Sequence, residues 1–365
     1  MTNSRRPSPW SALLLCLTLA ACRPPETTPD RRTPVVIDTD MGSDDAMAIL
    51  FLLRRPDVEV KALTVTGAGL AHCEQGVRNA LRLLALANHA DIPVACGRET
   101  PLRGTHAFPE PWREQADTLN GIPLPEPRTS ASGSTAVQVL TSVLEGSQRK
   151  VTVLALGNLT NVAEALQAKP SLAERVERLY LMGGAVTVPG NIGDSPGVNP
   201  PNPHGEWNIY VDPYAAARVF EAIPVTLVPL DATNHVQVTE AFIQRLDADR
   251  QTPEAEFVYR LLSSDMDYVR GGTFFFWDPL AAAALAVEGI VTFEQKTVRV
   301  IEEEGADSGR TQESETGHPV WVGVSADRQK FEAAFLDTLN GRVHLTAAPT
   351  PSGSTGSVAA AGNPT

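Results

Sequence analysis

The feature that most constrains the fold is an alternation. Short apolar runs, each ending near Asp, Gly or Asn, are separated by segments whose apolar residues recur at helical spacing. Residues 35–38, 60–66, 93–96, 151–156, 179–182 and 225–230 read as strands. Residues 44–53, 74–87, a segment from Thr160, and 213–221 read as helices; in the first, Ala46, Ile49, Leu50 and Leu53 form the apolar stripe. Long helices are expected over 239–267 and from Asp278, late strands over 298–301 and 320–324, and a closing helix over 326–340. This pattern predicts an α/β fold: a single-domain, doubly wound, mostly parallel sheet with helices on both faces. Such sheets bind ligands beyond the carboxyl ends of their strands, so the chemistry is expected just after the apolar runs.

The first run meets that expectation. Residues 35–46 read Val-Val-Ile-Asp-Thr-Asp-Met-Gly-Ser-Asp-Asp-Ala, so Asp38, Asp40, Asp44 and Asp45 leave the strand almost together. Carboxylates this close raise one another's pKa unless a cation compensates. Capping of the next helix accounts for one or two of them, because a helix start favours negative charge. It does not account for Asp38 and Asp40, which come straight off a hydrophobic strand. Hard carboxylate oxygens select calcium or magnesium over zinc. With 365 residues, 42% hydrophobic, the chain can build one large core, and its formal net charge of -13 argues against nucleic acid as a partner.

The N-terminus reads as a targeting segment. Arg5 and Arg6 precede an apolar run too short to span a bilayer, which ends in Leu19-Ala20-Ala21-Cys22. The tetrapeptide resembles a bacterial lipoprotein box, which implies a signal peptide over 1–21 and lipidation of Cys22. Residues 22–33 would then be a flexible tether, 34–346 the catalytic domain, and the Pro/Gly/Ser/Ala-rich stretch 347–365 a disordered tail. The expected location is the bacterial cell envelope, lipid-anchored to a membrane. Arg23, where Asp would signal inner-membrane retention, favours the outer membrane facing the periplasm. Cys73 and Cys96 remain, either as a disulfide or as two buried thiols.

The segment D-T-D-x-G-x-D-D-A after a short strand resembles the signature of the inosine-uridine-preferring nucleoside hydrolase family. Further blocks follow in the family's order: Leu156-Gly157-Asn158-Leu159-Thr160-Asn161, Met182-Gly183-Gly184, Asn191, Glu206-Trp207-Asn208, Asp212-Pro213 and Trp277-Asp278-Pro279. The resemblance implies calcium-dependent hydrolysis of a ribonucleoside N-glycosidic bond, with one calcium ion per site. Asp40 would be the general base and a calcium ligand; Asp45, Asp278 and the carbonyl of Leu156 would complete the protein ligands. Asp44 and Asn208 would hold the ribose 2′-hydroxyl, Asp278 would also touch the 3′-hydroxyl, and Glu206 and Asn191 would hold the 5′-hydroxyl. Asp38 would brace the ligands from behind. The partner is a small-molecule nucleoside, and a homo-oligomer is allowed.

The sequence departs from the family in three places. Many members that accept both inosine and uridine carry His before the late aspartate; here Trp277 stands there, as in the purine-preferring branch. Trp112 is the candidate second indole of a purine sandwich, with core packing the rival reading for both. After the second strand, Gly67-Ala68-Gly69 offers no polar side chain where the family often has Asn or Asp, and His72 or Glu74 would have to substitute. Residues 192–204 form a Pro/Gly/Asn-rich insertion, which leaves Asn199 and Asn202 as alternatives to Asn191 and brings His204 near Glu206. The alternative to an enzyme is a lipoprotein that binds nucleosides or ribose without cleaving them. Asp40 speaks against it, because a binder needs no base.

Overall fold

The apolar runs pair into one nine-stranded sheet, in a computed structural model that describes Met1 and residues 31–343. Residues 2–21 of the expected signal peptide, Cys22 and the expected tail over 347–365 lie outside the described residues. Residues 32–343 belong to one unit. The strands are β1 (Thr33–Thr39), β2 (Val58–Val65), β3 (Val94–Cys96), β4 (Val151–Ala155), β5 (Val176–Met182), β6 (Val225–Val228), β7 (Val291–Val300), β8 (Thr311–Glu313) and β9 (His318–Ala326). Their order is β3-β2-β1-β4-β5-β6-β9-β7-β8. Pairing is parallel from β3 through to β9, and antiparallel where β7 joins β9 and β8 joins β7.

Both faces of the sheet are covered, as strands without polar alternation require. Val35 and Ile37 of β1 enter one core with the helix Ser43–Leu53, while Val36 enters the opposite core with residues of the helices Ala136–Gly146 and Thr160–Ala168. Strand β4 divides the same way, Leu154 to the first core and Val153 to the second. The helix Ser43–Leu53 is buried from Asp45 to Leu53, because the sheet lies on one side and the helix Trp277–Ala286 on another. Both edge strands are only three residues long, which leaves little unpaired edge for another chain to extend.

The structure refines several expectations. The stretch 239–267 is broken into Glu240–Ala248, Pro253–Ser263 and Met266–Gly271, each started by a side-chain cap from Thr239, Thr252 or Asp265. Strand β6 stops at Val228, because Pro229 turns the chain into a short helix, Leu230–Thr233. Strand β7 begins at Val291, well before the expected start, since its outward face is polar and carries no continuous apolar run.

The two remaining cysteines are joined. Cys96 ends β3 and Cys73 begins the helix Cys73–Leu86, with Cα atoms 5.8 Å apart. The bond closes a 23-residue separation. Replacing both cysteines with serine is expected to lower the unfolding free energy by about 3 kcal/mol. Urea denaturation with and without reductant checks this; an unchanged midpoint would show that the pair contributes no cross-link.

Candidate active site

The chain runs from β1 outward to β3, then returns to β4 and runs the other way, so the sheet's switch point lies between β1 and β4. Loops leaving neighbouring strands in opposite directions open a crevice there. A cavity of about 950 Å³ fills it. Asp40, Asp44, Asp45, Leu156, Asn191, Glu206, Asn208, Trp112, Trp277 and Asp278 all line it, brought together from positions far apart in sequence. Asp38 lies beneath the lining, fully buried.

The turn after β1 is shaped by its own backbone. Met41 is buried with φ at 60°, a left-handed conformation that costs a residue with a side chain about 1–2 kcal/mol. It lets the chain reverse at once into the helix. Asp45 then reaches back: its Oδ2 accepts from Gly42 N at 2.9 Å, and its Oδ1 accepts from Asp40 N at 3.2 Å and from Thr39 Oγ1. The capping reading therefore holds for Asp45, which also points into the cavity.

Two glycines allow Asp40 its position. A Cβ on Gly69 would lie 2.2 Å from Asp40 Cβ, and one on Gly157 would lie 2.7 Å from it. The loop after β2 can thus bring Leu70 N to 3.1 Å from Asp40 Oδ2. The missing polar side chain at residues 67–69 is explained by close packing. His72 and Glu74 do not substitute: His72 pairs with Asp117 and Glu110, Glu74 is exposed, and neither lines the cavity.

The acidic groups form one electrostatic unit. Carboxylate oxygens of Asp44, Asp45 and Asp278 lie within 4.8 Å of one another. Burial, then the charges of Asp45 and Asp44, pushes the Asp40 carboxyl well above its ordinary value. Burial and the charges of Asp44 and Asp45 do the same to Asp278. Asp45 is raised by burial, and Asp44, half-buried, is raised to about 7 by burial and by Asp45. Asp278 Oδ1 is buried with no hydrogen-bond partner among the described residues. Clustered carboxylates, an orphaned carboxylate oxygen and the Leu156 carbonyl form a hard-oxygen donor set, which fits a divalent cation such as calcium or magnesium.

The far wall is built from β5 and the segment before the helix Trp207–Val211. Glu206 Oε2 accepts from the amides of Gly184 (2.8 Å), Asn208 (3.1 Å) and Ile209 (3.3 Å), and burial raises its carboxyl to about 7. Asn208 Nδ2 donates to Leu156 O (2.9 Å) and Met182 O (3.1 Å), which leaves its Oδ1 to accept from a ligand. Asn191 Oδ1 accepts from Trp207 N at 3.2 Å. The alternatives fall away: Asn202 is engaged with Ser308 O and Gly205 N, Asn199 does not line the cavity, and His204 pairs with Asp307 in a half-exposed position.

Other polar residues of the sequence blocks brace the site. Asp38 Oδ1 accepts from Thr64 Oγ1 (2.6 Å) and Asn161 Nδ2 (2.8 Å), and burial raises its carboxyl to about 7. Asn158 Oδ1 accepts from Thr66 Oγ1 at 2.7 Å, and Asp212 Oδ2 from Thr160 Oγ1 at 2.7 Å. Trp112 is 40% exposed and meets Trp207 edge-on at 5.5 Å, while Trp277 packs against Phe274 and Phe275 at 5.9 Å each. Packing and cavity lining therefore coexist at both indoles. Sequence reading missed Phe108, Tyr268 and Phe274 in the lining. Their only signal is aromaticity, and periodicity does not distinguish a cavity wall from a core.

Residues 35–333 match the family described as inosine-uridine preferring nucleoside hydrolase. The chain is 40% identical over 238 residues to the pyrimidine-specific ribonucleoside hydrolase RihA of Klebsiella pneumoniae, covering 64% of this chain and 72% of that protein. It superposes on a plant nucleoside hydrolase with a TM-score of 0.75 at 28% identity, covering 84% of this chain and 99% of that one. An inosine-guanosine nucleoside hydrolase gives a TM-score of 0.71 at 27% identity, with 84% and 99% covered. Fold and site thus define an N-glycosidase of the α/β class. The chain belongs to the inosine-uridine preferring nucleoside hydrolase family and is an enzyme.

The raised carboxyls predict an unusual pH dependence. Asp38, Asp44 and Glu206 bind protons more tightly in the folded protein, with values near 7 against ordinary values of 3.8 to 4.5. Their contribution to stability is complete below the ordinary carboxylate range and is lost as pH rises through 7. In chelator, the melting temperature is expected to fall between about pH 5 and about pH 8, and an added divalent cation should restore it most at the higher pH. A melting temperature that climbs over that interval in chelator would contradict the assignment.

Proposed function

We propose that this protein is a calcium-dependent ribohydrolase that releases ribose and free base from ribonucleosides, with a preference for purine nucleosides. The observation that carries the reading is the convergence of Asp40, Asp44, Asp45 and Asp278 with Glu206 and Asn208 in one cavity at the β1/β4 switch point. Asp40, Asp45, Asp278 and the Leu156 carbonyl would hold the ion. An ion held there would supply acidification and orientation of a water molecule. Asp40, whose carboxylate accepts from the Leu70 amide, takes the proton of the attacking water. Asp44 and Asn208 hold the 2′-hydroxyl, Asp278 the 3′-hydroxyl, and Glu206 with Asn191 the 5′-hydroxyl. The carboxylates around the sugar stabilise the positive charge that develops on the ribose as the base departs.

Purine preference is supported by Trp277 and Trp112, whose indoles line the cavity and offer stacking area to a bicyclic base. A pyrimidine preference is the second reading, favoured by the 40% identity to a pyrimidine-specific relative. Ribose release from inosine, guanosine, uridine and cytidine decides between them. Asp40→Asn is expected to lower the rate by about 10²–10⁴-fold without unfolding the protein, and excess chelator should abolish activity that calcium restores. Trp277→Ala should damage purine cleavage more than pyrimidine cleavage. Equal losses on both would remove the stacking argument, and full activity in chelator would remove the metal.

We propose further that the enzyme works in the bacterial cell envelope, lipidated at Cys22 and anchored in the outer membrane facing the periplasm. Leu19-Ala20-Ala21-Cys22 and Arg23 support this, as does the Cys73–Cys96 disulfide, since such bonds persist in oxidising compartments. Among the described residues no helix is long and apolar enough to cross a membrane. Cys22→Ala is expected to move the protein from the membrane to the soluble fraction. An unchanged distribution would argue against the anchor.

A further inference from the structure

The loop after β2 approaches Asp40 closely yet has little means of holding itself. Leu70 N donates to Asp40 Oδ2 at 3.1 Å and Ala71 N to Asp40 O at 2.8 Å. Residues 67–69 are Gly, Ala and Gly, and the only bond within the turn runs from Gly69 N to Thr66 O at 3.0 Å. Backbone this free of side chains does not fix an amide by itself.

The restraint comes from the helix Glu110–Thr118. Arg113 Nη2 donates to Gly67 O at 3.0 Å and Arg113 Nε to Leu70 O at 3.3 Å, so one planar guanidinium spans both ends of the glycine turn. Asp117, on the same helix, accepts from His72 N at 2.8 Å and secures the next residues. The disulfide at Cys73 closes the segment beyond. Trp112, one residue before Arg113, lines the cavity.

We propose that Arg113 is a positioning residue for the hydrolysis: its guanidinium fixes the Gly67–Leu70 turn, and the Leu70 amide in turn aims the Asp40 carboxylate. The proposal rests on the reading of Asp40 as the base. Arginine suits the task because its fork presents several donors in one plane, whereas a lysine ammonium is a compact point donor on a flexible stem and reaches one carbonyl at a time.

Steady-state kinetics of the full-length enzyme in saturating calcium, on the nucleoside it cleaves fastest, test the proposal. Wild type, D40N, R113A, R113K and R82A are compared. Arg113→Ala is expected to lower kcat by about 10-fold to 100-fold with KM changed by less than about 3-fold, because the base is misaimed while ribose contacts stay. Arg113→Lys should recover part of that loss. Arg82 makes a similar pair of bonds, to Leu124 O at 2.7 Å and Pro125 O at 3.2 Å, but neither residue lines the cavity. Arg82→Ala should therefore keep the wild-type kcat. If R113A does not fold, R113K and R113Q carry the same comparison. A wild-type kcat in the Arg113 variants, a change in KM alone, or an equal loss in R82A would overturn the proposal. Full activity of D40N would show instead that the base was misassigned, whatever Arg113 does.

Discussion

The rest of the site depends on holding like charges together out of water. Asp40, Asp45 and Asp278 are each no more than 3% exposed, and Asp44 stands at their edge. An ionised carboxylate placed so deeply is strongly unfavourable unless it takes up a proton, finds donors or meets a cation. The fold supplies donors, favours protonation and leaves one position open to a cation. Donors come from Thr39 Oγ1 and from the amides of Asp40, Gly42 and Leu70. Burial and mutual repulsion favour protonation. Asp278 Oδ1, left without a protein partner, is the place where only an outside group completes the set.

The architecture explains why the cluster forms where it does. Strand β1 is central and buried, so its end is dry, and the switch point beside β4 keeps loops from covering it. The left-handed turn at Met41 then brings the next helix round at once, so that Asp45 reaches back over the strand end. Behind this sits a layer of polar residues that never faces the cavity. Asn161 with Asp38, Asn158 with Thr66, and Thr160 with Asp212 tie the segment after β4 to its neighbours. The sequence blocks are therefore divided. Part of them lines the cavity, and part keeps two strand ends and a helix start in register.

Much of this was legible in the chain, and the limits have physical causes. The parallel half of the sheet and the acidic turn were readable because buried strands leave continuous apolar runs and carboxylates seldom follow them without reason. Strand β7 was read short because its polar outward face breaks that run. The helical stretch over 239–267 hid its two breaks, although Thr252-Pro253 is itself a cap followed by a first-turn proline. The site residues came from blocks that resemble the family's, but the roles of Gly69 and Gly157 did not, since a glycine's reason for being there is the atom it would otherwise strike. Arg113 carried no signal at all, because its partners are main-chain carbonyls from another part of the sequence.

The two halves of the cavity are built on different principles, and this bears on specificity. On the side proposed to take the ribose the groups are already partly engaged. Glu206 Oε2 serves three amides, and the Asn208 amide hydrogens serve two carbonyls, so each has only its remaining oxygen to offer and that oxygen is rigidly placed. Such prior engagement aligns a sugar with little entropy left to lose. On the side proposed to take the base stand Trp112, Trp277, Phe108 and Tyr268, large faces with few fixed polar commitments, and Trp112 and Tyr268 remain substantially exposed. A flat aromatic wall tolerates any base with a π-face and discriminates mainly by area. A fixed ribose subsite joined to a changeable base wall is how one fold can keep its reaction while its members are named for different bases.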